Sequence, residues 1–222
     1  GKPRCEAKDA KYMKQNTYIF YLLLVIIGIA AMPLRADKGP DWAGAKQAFL
    51  ENANSNNDVK RVACTVTLAE SITPKVEQEA VKLLTEHLAN EFARAKDGKA
   101  EERVNINVIY ACVQGFRKIT TDKATEALLK NATNQKAAWR FRFYIIRTLG
   151  GINKPEVINA LSPLLNDTEA GIQLAAVEAL TELNHAGAME SACQLLAEQT
   201  SWEVKSAVVE YLRKIKLPES VK

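Results

Sequence analysis

The residues able to do chemistry are few and scattered. Of two histidines, His87 has Glu91 one helical turn further on. That pair could supply two metal ligands, but no third ligand stands at a zinc spacing. His87 is expected on a polar, solvated stretch of a long helix, and His185 in the turn Asn184-His185-Ala186-Gly187. The four cysteines are single: Cys5 precedes an apolar run, and Cys64, Cys112 and Cys193 fall among apolar helix residues without a C-x-x-C spacing. An exported chain could oxidise two of them. No nucleophile elbow, phosphate-cradling glycine loop or H-E-x-x-H motif occurs. Gly150-Gly151 reads as a helix stop and Glu101-Glu102 as a solvated face. The expectation is a protein with no catalytic residue, no cofactor and no metal.

Two features stand above that background. Residues 138–147, Ala-Trp-Arg-Phe-Arg-Phe-Tyr-Ile-Ile-Arg, interleave aromatics with arginine, and Lys136 to Lys154 holds five basic residues and no acid. Pro155 to Val204 then holds eight acids and no Lys or Arg. Arginine and aromatic side chains anchor interfaces, and charge placement selects partners. These blocks therefore read as a two-signed docking surface for another protein. The competing reading puts Phe141 and Ile145 in the core and pairs the arginines with the neighbouring acids.

The elements carrying these residues repeat. Stretches starting at Phe141, Ile172 and Val204 superpose with offsets of 31 and 32 residues. Each is apolar at its first, fifth, sixth, ninth and twelfth places, which is helix spacing with one broad buried face. A unit recurring at this period marks a solenoid. Upstream, Val59 and Val104 give looser starts, 45 and 37 residues before the next. First helices are expected over Trp42–Asn52 (Ala45, Phe49 and Leu50 on one face), from Pro74, from Thr120, from Pro155 and over Ala186–Gln199. Asp58 and Thr73 are placed to cap, Pro163 should shorten or kink its helix, and Thr200 to Glu203 has capping-box spacing. No stretch alternates long enough for a strand. The fold class is all-α, an α-solenoid of about five helix-turn-helix units.

Asn166-Asp167 followed by Ile172-x-x-Ala175-Ala176-x-x-Ala179-Leu180 resembles HEAT repeats, especially the short kind of phycobilisome-lyase-like proteins. The resemblance is good over residues 136–215 and weaker over 42–135. At the second place, where such repeats usually carry arginine, stand Lys60, Asn105, Arg142, Gln173 and Lys205. The ladder of Asp-Arg contacts is therefore expected to be incomplete. The resemblance implies second helices lining a concave, partner-binding side. Its third-place row is Ile106, Phe143, Leu174 and Ser206, and its seventh-place row is Tyr110, Arg147, Glu178 and Glu210. With Arg140, the candidate partner-binding residues are Ile106, Tyr110, Arg140, Phe143, Arg147, Leu174, Glu178 and Glu210.

Six of the 30 Lys/Arg and two of the 26 Asp/Glu lie in residues 1–36, so residues 37–222 carry 24 of each. A neutral body does not support nucleic-acid binding. Thr17–Leu34 is an uncharged run of 18 residues ahead of Leu34-Arg35-Ala36. It fits a secretory signal cut after Ala36, or else a single membrane anchor at the lower limit of spanning length. Both place residues 37–222 outside the cytoplasm, periplasmic or secreted. The expectation is an exported, non-enzymatic interaction scaffold that meets a membrane only through residues 17–34. A lyase-like or enzyme-associated protein and a structural spacer are the alternatives.

Overall fold

The computed structural model describes residues 41–94, 104–197 and 201–215, all within one unit of the chain, Pro40–Lys222. The apolar run 17–34, the cleavage point after Ala36 and Glu101-Glu102 lie outside the described residues. So does Thr200. Among the described residues are ten α-helices. They are α1 (Trp42–Asn52), α2 (Asp58–Glu70), α3 (Glu77–Ala93), α4 (Ile106–Phe116), α5 (Asp122–Ala132), α6 (Trp139–Leu149), α7 (Pro155–Leu161), α8 (Ala170–Glu182), α9 (Met189–Ala197) and α10 (Trp202–Lys214). Short 3-10 turns follow α7 (Ser162–Asn166) and precede α9 (Ala186–Ala188).

The helices pair as α1/α2, α3/α4, α5/α6, α7/α8 and α9/α10, and the pairs stack in chain order. Second helices form one layer, with α2 on α4, α4 on α6, α6 on α8 and α8 on α10. First helices form the other layer, with α3 on α5, α5 on α7, and the turn after α7 on α9. The core lies between the layers: Leu84, Leu88, Ile109, Phe116, Leu128, Ile145, Leu161 and Leu165 are fully buried. The expected α-solenoid of five helix pairs is the fold of the described residues.

Local chemistry moves several boundaries. Asn57, not Asp58, caps α2 and accepts from the Lys60 amide at 3.2 Å, leaving Asp58 in the first turn. Thr73 and Pro74 form a turn rather than a helix start, and α3 begins at Glu77. Ser201 caps α10 and accepts from the Val204 amide at 3.3 Å, so the expected box from Thr200 is displaced by one residue. Pro163 ends α7 early, as its missing amide requires. Helix α8 stops on Asn184, which sits at φ 52° while the His185 amide donates to the Leu180 carbonyl. Leu50 is 53% exposed, so Ala45 and Phe49 are the buried residues of α1.

The largest correction is one of register. Val59 is 75% exposed, because α2 runs one residue out of the expected phase. Counted from Lys60, the fifth, sixth, ninth and twelfth places are Cys64, Thr65, Leu68 and Ser71, and all are buried. Arg61 then occupies the second place, as Arg142 does in α6. Both are buried, and each makes an ion pair. Arg61 meets Glu91 through Nε and Nη2 at 3.2 Å, and Glu91 also accepts from the Asn105 amide at 2.9 Å. Arg142 meets Asp167 at 2.7 Å and donates from Nε to the Ala132 carbonyl at 2.9 Å. The ladder is thus fuller than the sequence implied.

Glu77 fixes the turn into α5. Its carboxylate accepts from the amides and hydroxyls of Thr120 and Thr121 at 2.7–2.9 Å. Burial pushes its pKa up, but these donors outweigh burial and hold it below the usual range.

His87 is buried rather than solvated. Its ring packs edge-on against Phe49, and Nε2 lies 3.0 Å from Thr65 Oγ1. The Thr65 hydroxyl donates its one proton to the Arg61 carbonyl, so Nε2 is the donor in that contact. Burial, with Arg61 and Arg94 nearby, pushes the His87 pKa down to about 4. The native state therefore keeps His87 neutral where the unfolded chain protonates it. Stability is expected to fall as pH drops from about 6.5 to about 4, by up to roughly 3 kcal/mol from this group. Urea unfolding across that range checks it. His87→Gln should flatten the slope, and an unchanged slope would remove His87 as the cause. Glu77 adds its own loss only at more acid pH.

Candidate interaction surface

The candidate residues lie on the outer side of the second-helix layer, away from the core. Helix spacing places them there, because the third and seventh places fall opposite the buried first, fifth and ninth. Ile106 is 47% exposed, while Tyr110, Phe143 and Leu174 are half-buried. Phe143 and Leu174 therefore remain open to solvent rather than sealed between the layers. Tyr110, Phe143 and Leu174 sit on α4, α6 and α8, which pack in succession. Each leaves an apolar side chain half-open on one of three successive second helices. Val66 of α2, at the seventh place in the corrected register, does the same and was hidden by the phase error.

Helix α6 carries most of the chemistry. Arg147 lies over the Phe143 ring, 5.5 Å from its centroid, and Arg140 over Trp139 at 5.3 Å. Trp139 and Phe143 meet edge-to-face at 6.4 Å, as do Phe143 and Tyr144 at 5.2 Å. Tyr144 in turn stacks on Phe92 of α3 at 5.9 Å. Trp139 is held by Gly171, where any Cβ would come within 2.5 Å of the indole ring. Trp139, Tyr144, Phe92 and Gly171 were not among the expected site residues. The aromatic content of 138–147 pointed to the first two, and nothing local pointed to the others.

The expected two-signed surface is partly closed on itself, two of its arginines pairing with its acids. Arg147 Nε lies 2.8 Å from Glu178 Oε2, Arg117 lies 3.6 Å from Glu182, and Asp167 is consumed by Arg142. Burial raises the Glu178 pKa, Arg147 lowers it, and Glu182 raises it, with burial prevailing. Glu210 is not joined to this cluster and pairs with Arg213 of its own helix at 2.7 Å. Glu156, Glu190 and Glu203 stand in first turns, and Glu169 is the α8 N-cap residue. Acids there offset the positive helix end. Half of the eight acids in the block thus stand at helix starts.

Elsewhere, α3 borders two adjoining grooves, one of about 450 Å³ against the α5–α6 connection and Phe141, the other of about 610 Å³ against α5. They share Thr85, whose hydroxyl donates to the Val81 carbonyl at 2.7 Å, and Asn131, whose amide donates to the Ala127 carbonyl at 2.8 Å. Cys64 and Cys112 are buried with raised pKa values, above all from burial, whereas Cys193 is exposed. Among the described residues no cluster of three His, Cys, Asp or Glu is placed to hold a metal. Nor is any described helix long and apolar enough to cross a membrane.

No curated protein matches the chain. Residues 99–181 match the family model described as HEAT repeats. That match covers α4 to α8, with Tyr110, Phe143 and Leu174 among its residues, and identifies the described fold as an α-solenoid of HEAT-like repeats.

Proposed function

We propose that the chain is an exported, non-enzymatic scaffold that binds another protein across the outer side of its second-helix layer. Ile106, Tyr110, Phe143 and Leu174 carry this reading. They are apolar side chains left open on three stacked helices, flanked by a cation–aromatic cluster. Arg147 and Glu178 would orient a partner by pairing with its charges in exchange for each other. The non-enzymatic reading is supported by where the reactive groups sit: His87, Glu91, Cys64 and Cys112 are sealed in the core. Export rests on the resemblance of residues 17–36 to a signal or anchor segment.

A structural spacer is the second reading, favoured by the mutual neutralisation of Arg147 with Glu178 and Arg117 with Glu182. One experiment separates the two. The full chain and its Phe143→Glu/Arg147→Glu variant are crosslinked in envelope extracts, after circular dichroism shows both folded. A scaffold should lose its partner in the variant, with affinity down by roughly tenfold or more. Equal capture would move the site off this face, and capture by neither would leave the spacer.

A further inference from the structure

The repeats define an interface that is left open, among the described residues, at the first and the last helix pair. At the sixth place, Thr65, Ile109, Ile146 and Val177 are buried, but Val209 of α10 is 57% exposed. At the eighth place, Ala111, Thr148, Ala179 and Tyr211 are buried, but Thr67 of α2 is half-open. A sixth-place residue is thus uncovered only where no helix pair follows among the described residues. An eighth-place residue is uncovered only where none precedes. Four of the five large apolar residues left exposed also lie on the two end pairs: Leu50 and Val59 at one, Trp202 and Val209 at the other.

The internal interface shows which places meet. Gly150, at the tenth place of α6, faces Ala179 and Glu182, the eighth and eleventh places of α8. Transposed to the ends, the tenth place of α10 is Arg213, and the eighth and eleventh of α2 are Thr67 and Glu70. A cation would then stand against an acid, with Val209 and Leu212 beside the small Thr67. Arg213 pairs with Glu210 only across an exposed helix surface, which binds it weakly.

From this repetition we propose that the chain assembles head to tail with a second copy, α10 of one seated on α2 of the next, so that the solenoid continues across copies. The contact is heterologous, and it propagates rather than closing as a dimer.

Sedimentation velocity of the full chain over a concentration series tests this, in mild detergent so that the apolar run 17–34 does not itself associate. Wild type should form a growing series of oligomers. Val209→Glu and Thr67→Glu should each weaken association by roughly tenfold or more. Their mixture should form a dimer and stop, because each retains one intact end. Arg213→Glu should also weaken it, and Glu70→Arg/Arg213→Glu in one chain should restore it; these are exposed changes that leave the core alone. A wild-type monomer at every concentration would overturn the proposal. So would association indifferent to both end variants, which would run through another surface. Loss in Val209→Glu alone would mean like ends pairing, or cover from the chain's own residues beyond Ile215, and would overturn it equally.

Discussion

Glu91→Ala is expected to lower the unfolding free energy by about 3–5 kcal/mol, the range for breaking a buried ion pair from one side. Glu91 is fully buried and is the main counter-charge of Arg61, itself buried beneath the α2–α4 contact. Asp58 also reaches Arg61 at 2.7 Å, but its side chain is largely in solvent and replaces little of what is lost. The Asn105 amide, which donates to Glu91 at the start of α4, would be orphaned as well. Two repeats are therefore loosened at once. Urea denaturation followed by circular dichroism measures the change. Glu91→Gln keeps an acceptor for Asn105 and should cost about half as much. A loss in Glu91→Ala below about 1 kcal/mol would mean that water replaces the carboxylate and that the cluster is not structural.

Arg142→Met should be comparably damaging, by about 3–5 kcal/mol, for the same physical reason. Methionine fills much of the volume but leaves Asp167 charged, with its side chain only 6% exposed, and removes the donor to the Ala132 carbonyl. That carbonyl ends α5, while Asp167 leads into α8, so one side chain on α6 ties α5 to α8. Asp167→Asn in the Arg142→Met background should recover part of the loss, since the stranded charge is then gone. The pair should be clearly non-additive in a double-mutant cycle. Additive losses would show that the two residues do not act through their contact.

Both predictions rest on side chains that the repeat pattern located unequally. Arg142 stood at its expected second place, because Phe141 to Ile152 has the full apolar pattern to set the phase. Arg61 did not, because Val59 is an apolar residue one position before the true start. Apolarity alone cannot say that a valine is exposed. His87 was misplaced for a related reason. Its neighbours Glu86, Ala89 and Asn90 are exposed, and the local pattern reads as polar. What buries the ring is Phe49 and Thr65, which are 38 and 22 residues away in sequence. The charge blocks misled in a third way. A run of acids describes the chain, whereas a surface is decided by which acids meet arginine from the adjacent helix.

Periodicity was enough to establish the ten helices in five pairs of the described residues, the solenoid, and the half-open positions of Phe143 and Leu174. These follow from apolar residues three and four apart, a local property that every copy of the repeat states again. Packing between repeats decided the rest: the phase of α2, the burial of His87, the partners of Arg61 and Arg142, the neutralisation of Arg147 by Glu178, and the open sixth and eighth places at the two ends. Each of these depends on a residue from another helix, at a distance and angle that no spacing along one helix contains.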